Sequence, residues 1–164
     1  MSRLDLQLLR AMRTRGHTPG VEKLMRVLGK AGNNGGIWVA LCLVVLAATD
    51  SNAESWLICA LLAPAAIAIN YAVKLVVKRP RPVLEGLPPL GGAPSSLSFP
   101  SAHATSSFAV ATAMTRVDPL GAIAFALAIA LSLGRPYLGM HYPSDVLAGA
   151  LLGIVLGLIV PLSL

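Results

Sequence analysis

The chain has 164 residues, of which 55% are apolar and 12% charged, with a mean hydropathy of +0.73 and a formal net charge of +6. A soluble domain carries about 25% charged residues, so this chain has too little charge to cover a water-facing surface. Its length allows one domain, and its composition places it among all-α, polytopic membrane helical bundles.

The charge is concentrated at the start. Residues 1–32 hold seven cations (Arg3, Arg10, Arg13, Arg15, Lys23, Arg26 and Lys30) against Asp5 and Glu22. Within that segment, Leu4, Leu8, Leu9 and Met12 recur at helical spacing, and so do Val21, Leu24, Met25 and Leu28. Gly16 and Thr18-Pro19-Gly20 separate the two runs. Both read as amphipathic helices, lying in the membrane interface or packed on loops of the domain itself. A basic arm also suits nucleic acid, but the apolar periodicity favours a membrane surface over a nucleic-acid partner. Residues 1–32 are therefore expected to form an interfacial segment and 33–164 a transmembrane domain.

Five spans are expected, over residues 35–49, 55–77, 101–116, 119–134 and 144–162, with Pro64 interrupting the second. A full crossing needs about 20 apolar residues, so the first, third and fourth are short. Cys42 and Cys59 lie in apolar runs and read as buried thiols. The fifth span carries Gly149, Gly153 and Gly157, with Asp145 four residues before the first of them. Small residues at that spacing let helix backbones approach, either inside the chain or in a homo-oligomer.

Two polar interruptions, residues 78–100 and 135–143, fall at span ends on one side of the membrane. Ionisable residues bordering a membrane are functional candidates, and three clusters stand there. Lys74 to Pro82 is cationic and suits phosphate, lipid headgroups or a cytosolic flank. Phe99-Pro100-Ser101-Ala102-His103 opens a helix, whose free N–H groups form an anion site. Arg135 closes the fourth span, and His141 and Asp145 flank the start of the fifth. A carboxylate beside an imidazole fixes its tautomer and raises its basicity.

Taken together, Lys74-x6-Arg81-Pro82, Pro100-Ser101-Ala102-His103 and Arg135-x5-His141-x3-Asp145 resemble the three-part signature of the type 2 phosphatidic acid phosphatase superfamily. The resemblance covers residues 74–145. It implies that Lys74, Arg81 and Arg135 bind phosphate, with Ser101 and the backbone at Ala102 and His103 as further donors. It implies that His141 is the nucleophile, forming a phosphohistidine, that His103 protonates the leaving oxygen, and that Asp145 orients His141. No metal and no cofactor is implied. Two positions depart from the pattern: Gly134 stands where a serine usually precedes the arginine, and Ala102 stands in place of glycine. Only Arg81 has the seven-residue offset from Lys74, which leaves Lys78 and Arg79 for a lipid headgroup.

One span precedes the span that ends at Lys74, so the N-terminus and the site share a side. The positive-inside rule then puts both in the cytoplasm of a bacterial inner membrane. The composition, rich in Ala, Leu, Gly and Arg, is similar to that of a high-GC bacterium such as an actinobacterium. For a short member from such a source, the resemblance implies a lipid-linked phosphate substrate, first decaprenylphosphoryl phosphoribose. Polyprenyl diphosphate, phosphatidylglycerophosphate and phosphatidate are the alternatives, as is a non-catalytic lipid-binding role.

Overall fold

The computed structural model describes residues 2–92 and 96–163, whose regular elements are all helices, with no strand among them. Seven α-helices follow in order: α1 (Arg3–Thr14), α2 (Pro19–Ala31), α3 (Gly36–Ala48), α4 (Ala53–Val77), α5 (Ala102–Val117), α6 (Ala124–Tyr137) and α7 (Pro143–Ile159). Short 3-10 turns, Asn33–Gly35 and Pro119–Ile123, precede α3 and α6. The segments expected to span form helices α3 to α7. Pro64 does not interrupt the second: α4 runs unbroken through it for 25 residues. Neighbouring groups in a membrane helix re-satisfy the backbone that proline frees.

By length and composition, α4 and the Pro119–Tyr137 run are each apolar enough to cross a membrane. Pro19–Ala31 and Asn33–Ala48 qualify only as a pair, and they meet at a 58° bend. Asn34, at φ 54°, and Gly35, at φ 74°, are both left-handed beside that bend, a conformation that glycine adopts without strain. Leu57, Leu61, Leu75, Leu147, Leu151 and Leu158 all face outward. An apolar exterior is the burial pattern of a chain dissolved in lipid, and the chain is an integral membrane protein.

Helix α5 is the central post, packed against α4, α6 and α7. Its contact with α7 depends on the three glycines. A Cβ on Gly149 would stand 2.6 Å from the carbonyl oxygen of Ser101, one on Gly153 2.4 Å from that of Thr105, and one on Gly157 2.5 Å from that of Ala109. The stripe is therefore filled from within the chain. On the other flank Trp38, Cys42, Cys59, Ala63, Val110 and Leu131 form the apolar core. The Trp38 indole donates to Ser107 Oγ at 2.9 Å within it.

The two N-terminal helices are packed on the domain, against helices and not loops alone. They pack on α6 and α7 at the end where the signature residues lie, and they keep an apolar outer face. In α1 the buried residues are Asp5, Leu9 and Arg13, whereas Leu4 and Leu8 are exposed. In α2 Gly29 is buried and Leu24 and Val27 are exposed.

Candidate active site

The site is assembled from three helix ends. Lys74 sits in the last turn of α4, Ala102 and His103 open α5, and Arg135 lies in the last turn of α6. His141 follows the turn at Gly139, where φ is +77°. Lys74, Arg81, Ala102, His103, Arg135 and His141 converge on one cavity of about 150 Å³. At about 30 Å³ per water, that is room for a phosphate group and a few waters. Gly32, Asn33 and Asn34, from the turn after α2, close it.

The cavity is strongly cationic, and a donor on its lining and another beside it lack protein partners. Arg135 is 5% exposed, and its Nε is buried without a hydrogen bond. Ser101 Oγ, at the N-cap of α5, is likewise buried and unpartnered. Orphaned buried donors of this kind are costly and suit an anion that arrives with the substrate. Lys74 Nζ donates to the Leu97 carbonyl at 2.7 Å. Arg81 donates to the carbonyls of Ser96 at 2.8 Å and Met140 at 2.7 Å.

Two contacts set the histidine tautomers. Arg81 Nη1 lies 3.2 Å from His141 Nε2. A guanidinium only donates, so Nε2 carries a lone pair and the ring proton sits on Nδ1. That proton faces Asp145 Oδ2 at 3.5 Å, a contact rather than a formed hydrogen bond. Burial first, then the charges of Arg81 and Arg135, pull the His141 pKa down from 6.5 to about 3, against the opposing pull of Asp145. The imidazole is neutral at ordinary pH. His103 Nε2 lies 2.9 Å from the Gly29 carbonyl. An oxygen acceptor there requires a proton on Nε2.

Asp145 is completely buried. It stands in the first turn of α7, behind Pro143, and its Oδ2 accepts the Tyr142 N–H at 2.9 Å. Its Oδ1 takes Arg79 Nη1 at 2.8 Å. The expectation that Arg79 meets a headgroup is corrected here. Its guanidinium also donates to Asp5 Oδ2 at 2.7 Å and to Ser144 Oγ at 2.7 Å, and it lies 4.0 Å over the Tyr142 ring. A cation between two buried carboxylates is held where it balances both. Lys78, by contrast, is exposed at the end of α4.

Asp5 completes this network from α1. Its carboxylate accepts Ser144 Oγ at 2.6 Å and Ser144 N at 3.1 Å. Burial raises its pKa, but the hydrogen bonds from Arg79 and Ser144 outweigh this and leave it lowered. Sequence reasoning assigned no role to Asp5, Gly29, Gly32 or Asn33. A lone acid on the inner face of a strongly basic helix was the available signal for Asp5. Gly134 has its own explanation: a Cβ there would stand 3.2 Å from Met25 Sδ of α2, so glycine leaves room for the N-terminal layer.

Residues 54–164 match the model of the PAP2 superfamily. The chain belongs to that superfamily. It is 38% identical to a decaprenylphosphoryl-5-phosphoribose phosphatase of Mycobacterium tuberculosis over 87% of this chain and 80% of that one. It is 39% identical to the protein of that name from Mycolicibacterium smegmatis, over 80% and 72% of the two chains. Among solved structures, Aquifex aeolicus LpxE superposes with a TM-score of 0.75 at 25% identity, covering 96% of this chain and 94% of that one. The phosphatidylglycerolphosphate phosphatase of Bacillus subtilis gives 0.74 at 24% identity, covering 95% and 82%, and supports the fold alone. This PAP2 chain is a phosphatase.

Proposed function

We propose that the protein hydrolyses a lipid-linked phosphate monoester at the cytoplasmic face of a bacterial inner membrane, with decaprenylphosphoryl-5-phosphoribose as substrate. The observation that carries this reading is the cavity itself: two imidazoles and three cations line a space with room for a phosphate group, and the orphaned Ser101 hydroxyl stands next in the chain to its lining residue Ala102. The names of the relatives that match most of this chain favour the substrate.

In this mechanism the phosphate oxygens take Lys74, Arg81, Arg135, Ser101 Oγ and the free N–H groups at the start of α5. Phosphate displaces Arg81 from the His141 lone pair. His141 Nε2 then attacks phosphorus, and the bond from phosphorus to the substrate oxygen breaks. His103, which takes up a second ring proton when the phosphate dianion binds beside it, gives its Nε2 proton to that leaving oxygen and is left neutral. Asp145 stabilises the positive charge that builds on the His141 ring. Water next attacks the phosphohistidine, His103 takes a proton from it, and cleavage of the P–N bond releases phosphate. Fixed cations stabilise the charge on the transferred group throughout, with no metal or other cofactor.

The membrane arrangement belongs to the same proposal. Helices α3 to α7 make five crossings, and α1 and α2 lie in the interface. The basic N-terminal segment packs at the catalytic end of the bundle, which by the positive-inside rule favours the cytoplasm. An undecaprenyl-diphosphatase of Bacillus subtilis, 34% identical over 57% of this chain and 49% of that one, supports polyprenyl diphosphate as the competing substrate.

Phosphate release from a panel of these lipids tests the reading. Decaprenylphosphoryl-5-phosphoribose should be turned over with the highest kcat/KM, and a clear preference for polyprenyl diphosphate would overturn the assignment. One-sided thiol labelling of single cysteines placed near residues 90 and 52 tests orientation. The site near 90 should react from the cytoplasm and the site near 52 from outside.

A further inference from the structure

A second cavity of about 150 Å³ adjoins the first, and Arg135 and Asn33 line both. Arg26 and Lys30 of α2 face this second space, and Leu138 and Met140 are apolar parts of its lining. Among the described residues no carboxylate lines it, although Glu22 holds Arg26 from outside at 2.8 Å. Gly29 gives α2 this close approach, since a Cβ there would stand 3.0 Å from Arg135 Nη1. Beyond, an open groove runs past Lys23 and Val27, towards the apolar outer face of α2.

We infer that this cavity is a second anion subsite, which holds a further phosphate of the same substrate molecule, separated from the reacting one by a spacer about as wide as a sugar. The inference deepens the proposed function and rests on it. Arg135 presents five N–H donors in a planar fork, and one phosphate in the catalytic cavity cannot use them all. The catalytic cavity holds the reacting group and a few waters but not a whole lipid, so the rest of the substrate must leave it. Passing Arg135, it meets two further cations. The two phosphates of a diphosphate share a bridging oxygen and cannot straddle a guanidinium, so the division into two cavities favours phosphates set apart. A phosphodiester that joins a polyprenyl chain to a phosphorylated sugar has that form, and its chain would leave by the groove at Val27. A single-phosphate lipid, whose tail begins at the reacting group, has another route: an open apolar groove of about 600 Å³ beyond Arg81, lined by Val83, Leu84 and Pro88.

The test compares the wild-type protein with the double variant Arg26→Gln/Lys30→Gln in neutral detergent. The substrates are a short prenylphosphoryl-5-phosphoribose, the prenyl riboside 5-phosphate that lacks the phosphodiester, and a prenyl diphosphate. Both altered side chains are exposed, and activity on the riboside controls for folding. Loss of two charge-assisted contacts should raise KM for the two-phosphate sugar substrate about ten-fold, with kcat within about two-fold and the riboside unaffected. An equal loss on both sugar substrates, or no loss on either, overturns the subsite and leaves the phosphatase assignment standing. Turnover of the prenyl diphosphate alone overturns the substrate reading and the subsite with it. Repeating the comparison in vesicles of phosphatidylcholine with and without phosphatidylglycerol identifies the source of the anion. A KM difference between the two sugar substrates that persists in both supports the inference. A difference that arises only with phosphatidylglycerol assigns the two cations to bilayer headgroups and overturns it.

Discussion

The α5–α7 contact and the inner face of α1 bury opposite kinds of residue. Between α5 and α7 the contact is backbone on backbone, through glycines that sit where any Cβ would strike a carbonyl. In α1 the buried side chains include Asp5 and Arg13, the latter donating to the Pro88 carbonyl at 2.7 Å, while Leu4 and Leu8 point away from the protein. The first arrangement is close-packed and sets the start of α5 against the start of α7, where His103 and Asp145 stand. The second is a polar clasp with an apolar back, which joins the site to whatever touches that back. The core supplies the proposed reacting groups, and the N-terminal layer closes over them.

The largest effect that sharpens this contrast belongs to the core. His141→Ala should abolish trapping of labelled phosphoenzyme and lower turnover by roughly 10³-fold or more; labelled enzyme that survives the change would remove His141 as nucleophile. Next, Gly153→Ala forces a Cβ to within 2.4 Å of the Thr105 carbonyl. Overpacking of this kind costs about 1–3 kcal/mol, read as a lower thermal midpoint in detergent. An unchanged midpoint would mean that α5 and α7 are not locked together.

Asp5→Asn should act on chemistry rather than on binding. Without Asp5, Arg79 draws more of the Asp145 charge away from His141. The expectation is a kcat about ten-fold lower, about 1.4 kcal/mol, with KM within about two-fold and recovery in Asp5→Glu. Equal changes in kcat and KM would show that α1 is only a cover.

The pH dependence of stability gives a smaller, graded effect. The folded His141 refuses a proton down to about pH 3, whereas the unfolded imidazole accepts one near 6.5. Between those values the unfolded chain binds more protons, so stability is fully present above pH 6.5 and is lost as pH falls from there towards 3. The thermal midpoint should follow that course, and His141→Gln should flatten it. Smallest of all, Leu4→Gln/Leu8→Gln should leave detergent-phase activity unchanged and lower activity in vesicles by about two- to five-fold, through weaker seating on the bilayer. A loss of equal size in detergent would place those leucines against protein instead.

The sequence by itself determined the helical class, the positions of the long apolar segments and the three clusters of reactive residues. Those are local properties, because hydropathy, helix-start chemistry and residue spacing are read along the chain. Only the tertiary structure decided that Arg79 turns inward to two carboxylates, since one of them, Asp5, lies 74 positions away on another helix. It also decided that Gly29 and Gly32 lie against Arg135 and His103, and that Gly134 leaves room for Met25. Close approach between distant backbones has no periodic signature in sequence. It follows from how whole helices dock, and here that docking closes the phosphate cavity.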